Sequence, residues 1–549
     1  MQFNIIQGLL GFERKGIIYA DTGFCQAGIC MVFIMEGKTK DEMRGKHWTE
    51  ILVDRLLEEK KAPYSITGGM TTSGPAHLGT ICEFLYPAVI RQSLKSRGIE
   101  ADFNFIGDIL DAFDGIPFEL QKYSEVLTPE LGKPLVYTID PMGCHTSFGM
   151  HYLEQAKSLM KLLSLDIEVL TAQELYASGR MDKYASLFLH EEEKVKGVVA
   201  RTSMKKVEDL KGWSPIMPIC EKCGKIATTV VTSHTDAEYE YSCNRDVEYT
   251  KGCGFSGRAR LSDHRYKLQW RLHWPAWQAV FGSSIEGSGI DHMTKGGSAT
   301  TAYSVHKEIL ERDPPILFKY GFILINGKKY SKSKGIGMSA MELTQLIPPE
   351  ILKYALIEPD IQSDKDIDPT GDKLVLLYDT VERTSRLAAA ENRADEKRLL
   401  AFRVAIGKLP WKASFVDMLL NYQIYKDWDR VAKIVDDADG VRYLSQYIER
   451  WIAMGYAPGR YNFSIKSSKI SENREVVGKF VQSLRPGMTD LEVHNLVYDT
   501  AKTQGVDANS LFASIYVAII GKEKGPRMGK LLSAIGIERV KQMLEFAIS

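Results

Sequence analysis

The stretch from Gly68 to Thr80 constrains the fold more than any other part of this sequence. It reads GGMTTSGPAHLGT, and it lies between a short strand-like run at 62–67 and a helical pattern at 81–97. A glycine-rich turn between a strand and a helix brings bare backbone and helix N–H groups close to an anion. We therefore expect this turn to bind phosphate within an α/β fold.

A second loop with related chemistry follows far downstream, at Lys328–Gly335. It reads KKYSKSKG and holds four lysines among serines and a glycine. Lysine ammonium groups on a mobile loop can close over a polyphosphate and neutralise its charge. Many α/β folds contain a glycine-rich turn, so it is the combination of the two loops that indicates a nucleoside triphosphate site.

The two loops resemble the HIGH and KMSKS signatures of class I aminoacyl-tRNA synthetases. The matching residues are HLGT at 77–80 and KYSKS at 329–333. Thr80 stands where the family has a second His or Asn, and Tyr330 stands where it has Met. The resemblance implies an α/β fold whose catalytic domain is Rossmann-like, with a doubly wound parallel sheet.

The segments around the first loop support that fold by alternating between helical and strand patterns. Residues 47–61 form an amphipathic helical pattern, and 102–106 has the pattern of a strand that ends just before Asp108. In a doubly wound sheet, ligands bind at the carboxyl ends of the strands, where His77 and Asp108 both fall. Asp108 and Asp111 are equally compatible with roles in a helix cap or a turn.

Three further segments are similar to the archaeal-type class I lysyl-tRNA synthetases. They are DPMGCH at 140–145, ELYASG at 174–179 and KEKGPRMGK at 522–530, and the resemblance extends from about residue 46 to the C terminus. It implies a two-step reaction, in which ATP and lysine form lysyl-adenylate with loss of pyrophosphate and the adenylate then acylates tRNA(Lys). The implied substrates and partners are ATP with Mg²⁺, lysine and tRNA(Lys). His145 fits either a functional role or a packed, capping histidine.

The resemblance also implies which residues contact ATP. His77 would contact the triphosphate in the transition state, while Lys329 and Lys332 would hold the β- and γ-phosphates; these three are the catalytic candidates. Gly79 would leave room for the planar base, and Asp291 would bond the ribose. The expected ATP-binding set is Gly74, His77, Gly79, Thr80, Gly289, Asp291, Lys329, Ser331 and Lys332.

A lysine pocket is expected beside the ATP site. Its predicted residues are Gly69, Thr71, Glu83, Trp270, His292 and Tyr320. Glu83 is the nearest carboxylate to the glycine-rich turn, so it is the candidate partner of the ε-ammonium, while aromatic faces would pack the methylene stem. In the alternative interpretation, Glu83 interacts only with the helix dipole, and Trp270 and Tyr320 are core aromatics.

Residues 181–265 interrupt the catalytic pattern and hold four of the eight cysteines. The insertion contains a CxxCG motif at 220–224, typical of a zinc knuckle, but its second half has no CxxC pair. We expect one structural Zn²⁺ bound by Cys220, Cys223, Cys243 and Cys253. Replacement of a thiolate by His234 or His264, or four buried free thiols, are the alternatives.

The length of 549 residues is enough for several domains. We predict an N-terminal extension of unknown role, a catalytic domain in two halves, the zinc insertion, a stem-contact helical region and an all-α anticodon-binding domain with 3.6-residue periodicity. The predicted bounds are 1–42, 43–180 with 266–335, 181–265, 336–395 and 396–549.

Charge and hydropathy restrict the partners further. The formal net charge is zero, which excludes a chain-wide basic field, so contacts to tRNA must come from local patches. Because no apolar run reaches the roughly 18 residues that span a bilayer, no membrane partner is expected. The cysteine usage fits a reducing, cytoplasmic compartment, and a monomer is the expected state.

Two alternatives fit part of the sequence. A nucleotidylyltransferase acting on a small substrate shares the HIGH-type turn, but the helical C-terminal third and the insertion argue against it. A non-catalytic RNA-binding relative of the synthetases would explain the departures at Thr72, Thr80 and Tyr330. Since Thr80 can still donate a hydrogen bond and Tyr330 is not a catalytic position, an active enzyme is favoured.

Overall fold

The structure is a computed structural model that describes residues 45–329, 338–390 and 395–549. Its strands are β1 (Tyr64–Thr71), β2 (Ala101–Asp108), β3 (Val169–Thr171), β4 (Ile216–Pro218), β5 (Val230–His234), β6 (Glu238–Ser242), β7 (Ser256–Arg260), β8 (Tyr266–Leu268), β9 (Ile285–Gly289), β10 (Ile316–Tyr320), β11 (Ile323–Ile325), β12 (Lys328–Lys329) and β13 (Lys365–Asp366).

The helices of the first two thirds of the chain alternate with these strands. They are α1 (Trp48–Glu59), α2 (Leu78–Ser96), α3 (Ser124–Leu127), α4 (Phe148–Leu162), α5 (Ala172–Ala177), α6 (Asp182–His190), α7 (Glu192–Thr202), α8 (Trp270–Val280), α9 (Ser298–Ser304), α10 (Ala340–Thr344) and α11 (Pro349–Ile357).

In the last third of the chain, all of the long secondary-structure elements are helices. These are α12 (Asp372–Ala389), α13 (Glu396–Ala405), α14 (Phe415–Tyr425), α15 (Trp428–Val435), α16 (Ala438–Ala453), α17 (Arg474–Ser483), α18 (Asp490–Gln504), α19 (Ala508–Ile520), α20 (Met528–Ile535) and α21 (Ile537–Ile548). The apolar periodicity at 529–546 predicts one helix, but the structure has two, because Gly536 adopts φ +95° and ends α20.

A five-stranded sheet in the order β10-β9-β1-β2-β3 forms the centre of the α/β part. Its paired strands are parallel throughout. The chain builds outward from β1 through β2 to β3, and then crosses back to β9 on the other side of β1. A crevice opens where the strand order reverses in this way, at the carboxyl ends of β1 and β9. The predicted parallel-sheet α/β core is confirmed.

The strand β1 is longer than the sequence predicted, because the glycines at its end belong to the sheet. Gly68 and Gly69 pair with β2 rather than forming the turn. A Cβ on Gly69 would lie 2.9 Å from the ring of Trp277, and one on Gly68 would lie 3.2 Å from that of Phe105. These positions therefore require glycine for close packing, and the turn itself begins only at Thr72.

The region between α5 and α8 contains two helices followed by a small β-domain. Strands β5, β6 and β7 form an antiparallel sheet, and β4 pairs with β8. Apolar residues of α6 and α7, such as Phe188 and Val198, share one buried cluster with Trp274 and Trp277 of α8. The insertion therefore packs directly against the helix that follows it in the catalytic core.

The helices of the last third fall into two groups by their apolar packing. Side chains of α14 and α16, including Phe415 and Trp451, belong to the same buried cluster as Phe318 of the central sheet. Helices α17–α21 build most of a second cluster around residues such as Phe480 and Leu511, which Leu420 and Ile424 of α14 also join. The change between the two clusters falls near residue 462. Within the described ranges, no helix is both long and apolar enough to cross a bilayer.

Candidate active site

A cavity of about 410 Å³ opens at the carboxyl edge of the central sheet, against the N-terminus of α2. The residues that line it come from β1, α2, β2, α8, β9, β10 and β11. They are Gly69, Met70, Thr71, His77, Leu78, Gly79, Thr80, Glu83, Asp108, Trp270, Trp277, Gly289, Ile290, Asp291, His292, Tyr320, Gly321, Phe322, Ile323 and Ile325.

The cavity brings together most of the residues that the sequence singled out. All six residues of the predicted lysine pocket line it, as do five of the predicted ATP set, His77, Gly79, Thr80, Gly289 and Asp291. Gly74 lies instead in an adjoining cleft of about 60 Å³. Lys329 ends the short strand β12, while Ser331 and Lys332 lie outside the described residues.

His77 forms the N-cap of α2 with extended backbone, and its N–H donates to the Thr80 hydroxyl at 3.3 Å. The helix therefore starts three residues earlier than its pattern predicted. A Cβ on Gly79 would lie 2.7 Å from Cε1 of His77. The space beside Gly79, expected to receive a planar base, is thus filled by the imidazole of His77, which folds back over the first turn.

Glu83 presents its carboxyl to the cavity from the second turn of α2. Burial raises its pKa to about 8; the Tyr320 hydroxyl opposes this shift and the Glu286 carboxyl adds to it. Part of the Glu83 side chain is accessible through the cavity, so solvent there reduces the shift. The buried Tyr320 hydroxyl makes no hydrogen bond of regular geometry, although it lies close enough to act on Glu83. A carboxyl and a hydroxyl that can each accept a further hydrogen bond suit a cationic ligand.

A second buried acid, Glu286 of β9, lies behind this end of the cavity. Its Oε2 accepts hydrogen bonds of 2.7 Å from Thr67 and 2.7 Å from Gln278. Burial raises its pKa, and these hydrogen bonds oppose the shift. Because Glu286 is already well bonded and Glu83 is not, Glu83 is the acid available to a ligand. Glu286 was not among the site residues predicted from the sequence.

Aromatic rings form one wall of the cavity. Trp270 stacks on Trp274 with a centroid distance of 5.7 Å and packs against Trp277 at 5.5 Å. His292 lies 5.9 Å from Trp270, and its Nδ1 lies 2.8 Å from the Ser298 hydroxyl. Burial lowers the pKa of His292, so a neutral ring faces the cavity. Trp277 was not predicted, although its spacing of seven residues from Trp270 places both on one helix face.

An ion pair network lies at the opposite end, where β2 finishes. The Lys267 ammonium of β8 donates to Asp108 at 2.7 Å and also to Asp111, whose other oxygen accepts from the Thr71 hydroxyl at 2.7 Å. Burial lowers the pKa of Lys267, but attraction to Asp108 and then Asp111 outweighs it and raises the pKa overall. Asp108 and Asp111, for which a cap or turn role was open, are thus joined to one buried lysine that the sequence analysis did not single out.

The four cysteines of the insertion meet in one place. Their sulfurs all lie within 4.8 Å of one another, and the pairs Cys220–Cys253 and Cys223–Cys243 are each 3.7 Å apart. Four thiolates around one zinc at about 2.3 Å lie roughly 3.8 Å apart. The geometry therefore fits a tetrahedral site. His234 and His264 pair instead with Glu192 and Asp182.

A second cluster with metal-ligand chemistry precedes α4. Ligand atoms of Asp140, Cys144, His145 and His151 lie within 4.8 Å of one another. The Cys144 sulfur is 3.1 Å from Nδ1 of His145, 3.2 Å from Nδ1 of His151 and 3.3 Å from an Asp140 oxygen. The sequence analysis considered His145 alone; the spacing DxxxCHxxxxxH was the missed signal.

Known proteins were compared with the chain as a whole. The family described as tRNA synthetases class I (K) matches residues 46–414. A lysine–tRNA ligase from Archaeoglobus fulgidus is 30% identical over 517 residues, covering 91% of this chain and 100% of that protein. Lysine–tRNA ligases from Thermoplasma acidophilum and Methanosarcina barkeri are 27% and 29% identical; they cover 90% and 91% of this chain, and this chain covers 98% and 97% of them.

Proposed function

Because this chain belongs to the class I tRNA synthetases of the K type, we propose that it is a lysine–tRNA ligase, using ATP and Mg²⁺ to attach lysine to tRNA(Lys). The observation that carries the proposal is the single cavity in which the glycine-rich turn of β1 and α2 meets the buried carboxyl of Glu83. The turn suits a nucleotide, and Glu83 suits an ammonium group. A cytoplasmic location fits these substrates.

The first step is an in-line displacement at the α-phosphate of ATP, in which the lysine carboxylate attacks and pyrophosphate leaves. No covalent protein nucleophile is needed, so the protein contributes position and charge. His77, at the N-terminus of α2, would contact the phosphates together with the free N–H groups of the first turn. Asp291, beyond the end of β9, would bond the ribose.

The second step transfers the activated lysyl group to the 3′ end of the tRNA. The adenylate carbonyl is attacked by a ribose hydroxyl and AMP leaves. The aromatic wall around Trp270 would pack the methylene stem of lysine throughout, while Glu83 and Tyr320 hold its ε-ammonium. Apolar stem and paired ammonium together discriminate against shorter and uncharged amino acids.

Amino-acid-dependent exchange of pyrophosphate into ATP, with and without tRNA, tests the proposal directly. Lysine should support exchange, and glutamate and arginine should not. Exchange that proceeds without any amino acid would favour the nucleotidylyltransferase alternative. RNA binding without exchange under either condition would favour the non-catalytic relative.

We further propose that both metal-ligand clusters bind zinc. The cysteine cluster offers four thiolates, the set of structural zinc sites. The cluster at Asp140 offers one thiolate, one carboxylate and two imidazoles, all of which are zinc ligands. His151 lies in the first turn of α4, and Gln155 of the same helix accepts from the Ala76 N–H at 3.1 Å. Zinc bound there would fix the helix that supports the glycine-rich turn.

Elemental analysis of protein purified without chelator should find about two zinc ions per chain. Cys223→Ser and His151→Ala should each lose one, and the double variant should lose both, because one missing ligand opens a four-ligand site. His190→Ala, which removes an exposed histidine from outside both clusters, serves as the matched control and should keep two. A wild-type protein without zinc would contradict both sites.

Helices α17–α21 are proposed to form an anticodon-binding unit, since they supply most of a second apolar cluster at the end of the chain farthest in sequence from the glycine-rich turn. Deleting residues 463–549 should lower the rate of tRNA charging more than the rate of lysine-dependent pyrophosphate exchange. A cut at residue 400 would instead remove Phe415 and Trp451 from the core that includes the central sheet. Equal loss of both activities in a folded truncation would argue against this role.

A further inference from the structure

The cavity has acidic groups at two separate ends. Glu83 and Tyr320 line one end and act on each other. Asp108, the last residue of β2, lines the other end, and Asp111 follows in the next loop and is bonded to Thr71 of the lining. Two strands, β1 and β9, separate Tyr320 of β10 from Asp108 of β2, so these two residues are roughly 14 Å apart at about 4.8 Å per strand. One ammonium group cannot use both ends, but a substrate with two ammonium groups can.

The end at β2 keeps an excess of negative charge. Two carboxylates, Asp108 and Asp111, face one ammonium, Lys267. The nearby His273 does not add a positive charge, because burial and then Lys267 hold its pKa well below its ordinary value. One uncompensated negative charge in a largely buried site is costly unless a cationic ligand arrives to pair with it.

Asp111 is the member of this network that a ligand can reach. Its side chain is 32% exposed, whereas those of Lys267 and Asp108 are 0% and 1% exposed. The Thr71 hydroxyl bonds Asp111 and also lines the cavity, so the carboxylate is held at the cavity's edge. The Lys267 ammonium already occupies the position between the two carboxylates, which disfavours a divalent cation there and leaves room for a single positive charge at the rim.

We propose that Asp111, positioned by Lys267 and Thr71, binds the α-ammonium of the amino acid substrate, while Glu83 binds the ε-ammonium. The inference rests on the proposed function and deepens it. Lys267 is a positioning residue. It lies in β8, the strand that directly follows the insertion, and its ammonium fixes the Asp111 carboxylate. The substrate class defined by the two acidic ends is a diammonium carboxylic acid with an apolar spacer.

The test compares Asp111→Asn with the matched control Asp114→Asn, an exposed acid of the same loop. Asparagine keeps one oxygen to accept from the Lys267 ammonium, and its amide N–H can donate to the Thr71 hydroxyl, so the variant should fold, which thermal unfolding verifies. Lysine-dependent pyrophosphate exchange gives kcat and the KM values of lysine and ATP. Competitive inhibition is measured with two probes: cadaverine, which has both ammonium groups but no carboxylate, and 6-aminohexanoate, which lacks the α-ammonium.

Asp111→Asn should raise the KM of lysine and the Ki of cadaverine about fivefold or more, through loss of one charge-assisted contact. The Ki of 6-aminohexanoate and the KM of ATP should stay unchanged, as should all values for Asp114→Asn. An unchanged lysine KM, or equal weakening of both probes, would overturn the assignment. Absence of lysine-dependent exchange in the wild-type protein would instead reject the proposed function itself.

Discussion

Replacing Lys332 with alanine is expected to slow lysyl-adenylate formation by about 10²–10³-fold, the usual effect of removing one preorganised contact to developing charge. The resemblance places Lys332 as the second lysine of the KMSKS-like loop, where its ammonium would hold the β- and γ-phosphates. The KM of lysine should stay nearly unchanged, because Lys332 is expected to contact the phosphates of ATP and not the amino acid.

The described part of the chain supports this placement at the point where the loop begins. Strand β11 pairs with β12, and Ile323 and Ile325 of β11 line the cavity. Since β12 ends at Lys329, Lys332 follows three residues beyond a hairpin at the cavity's edge. Three residues of chain are short enough to keep Lys332 within reach of ATP bound in the cavity.

Single-turnover formation of adenylate is the measurement that checks this effect. Lys373→Ala is the matched control: it removes an equal charge beside the same small sheet, where Lys373 pairs with Asp366 at 2.9 Å. Because an exposed ion pair of this kind contributes little to stability, the control should activate lysine normally. Wild-type activation kinetics in Lys332→Ala would exclude the proposed role.

Glu83→Gln is expected to raise the KM of lysine by about tenfold or more, because the bound ε-ammonium would lose its charged partner in a buried site. The KM of ATP should barely move. If Glu83 merely interacted with the helix dipole, the substitution would cause only a small loss of stability. Glu154→Gln, an exposed acid of α4, is the control for loss of charge and should leave both KM values unchanged.

The raised pKa of Glu83 allows a second test, based on the pH dependence of the lysine KM. This dependence is not expected if Glu83 has only a structural role. Burial raises its pKa to about 8 and partial accessibility reduces that shift, so at mildly acidic pH the unliganded carboxyl holds a proton. The substrate ammonium stays charged up to about pH 10, so lysine binding must release the Glu83 proton. The KM of lysine should therefore rise as pH falls from 8, towards about tenfold per pH unit, and Glu83→Gln should flatten this profile. A wild-type KM independent of pH between 6 and 8 would argue against Glu83 as the partner.

Much of the fold could be predicted because local patterns carry it. The helical pattern at 47–61 matches α1 (Trp48–Glu59) to within two residues at each end, and the strand–turn–helix around His77 located the cavity. Burial of Gly68 and Gly69 in β1 could not be predicted from the same pattern. Glycine serves equally in a turn and at a close approach, and only the rings of Trp277 and Phe105 decide between the two uses.

The cysteine cluster and the Lys267 ion pairs show a second limit of prediction from local sequence patterns. Cys220, Cys223, Cys243 and Cys253 were predicted as one set, but because Cys243 and Cys253 are not a CxxC pair, only the folded protein shows that the four sulfurs meet. Likewise, Lys267 reaches Asp108 across 159 residues of chain. Side chains so far apart in sequence come into contact only when the folding of the whole chain brings β2 and β8 together.

The sequence by itself determined the class of fold, the family resemblance and about half of the residues that line the cavity, since each depends on periodicity or on a short motif. The tertiary structure decided what those residues contact. It filled the space beside Gly79 with His77, raised the pKa of Glu83 by burial, and paired Asp108 and Asp111 with Lys267. Charge, burial and hydrogen-bond capacity depend on neighbours in space, and folding of the whole chain is what supplies those neighbours.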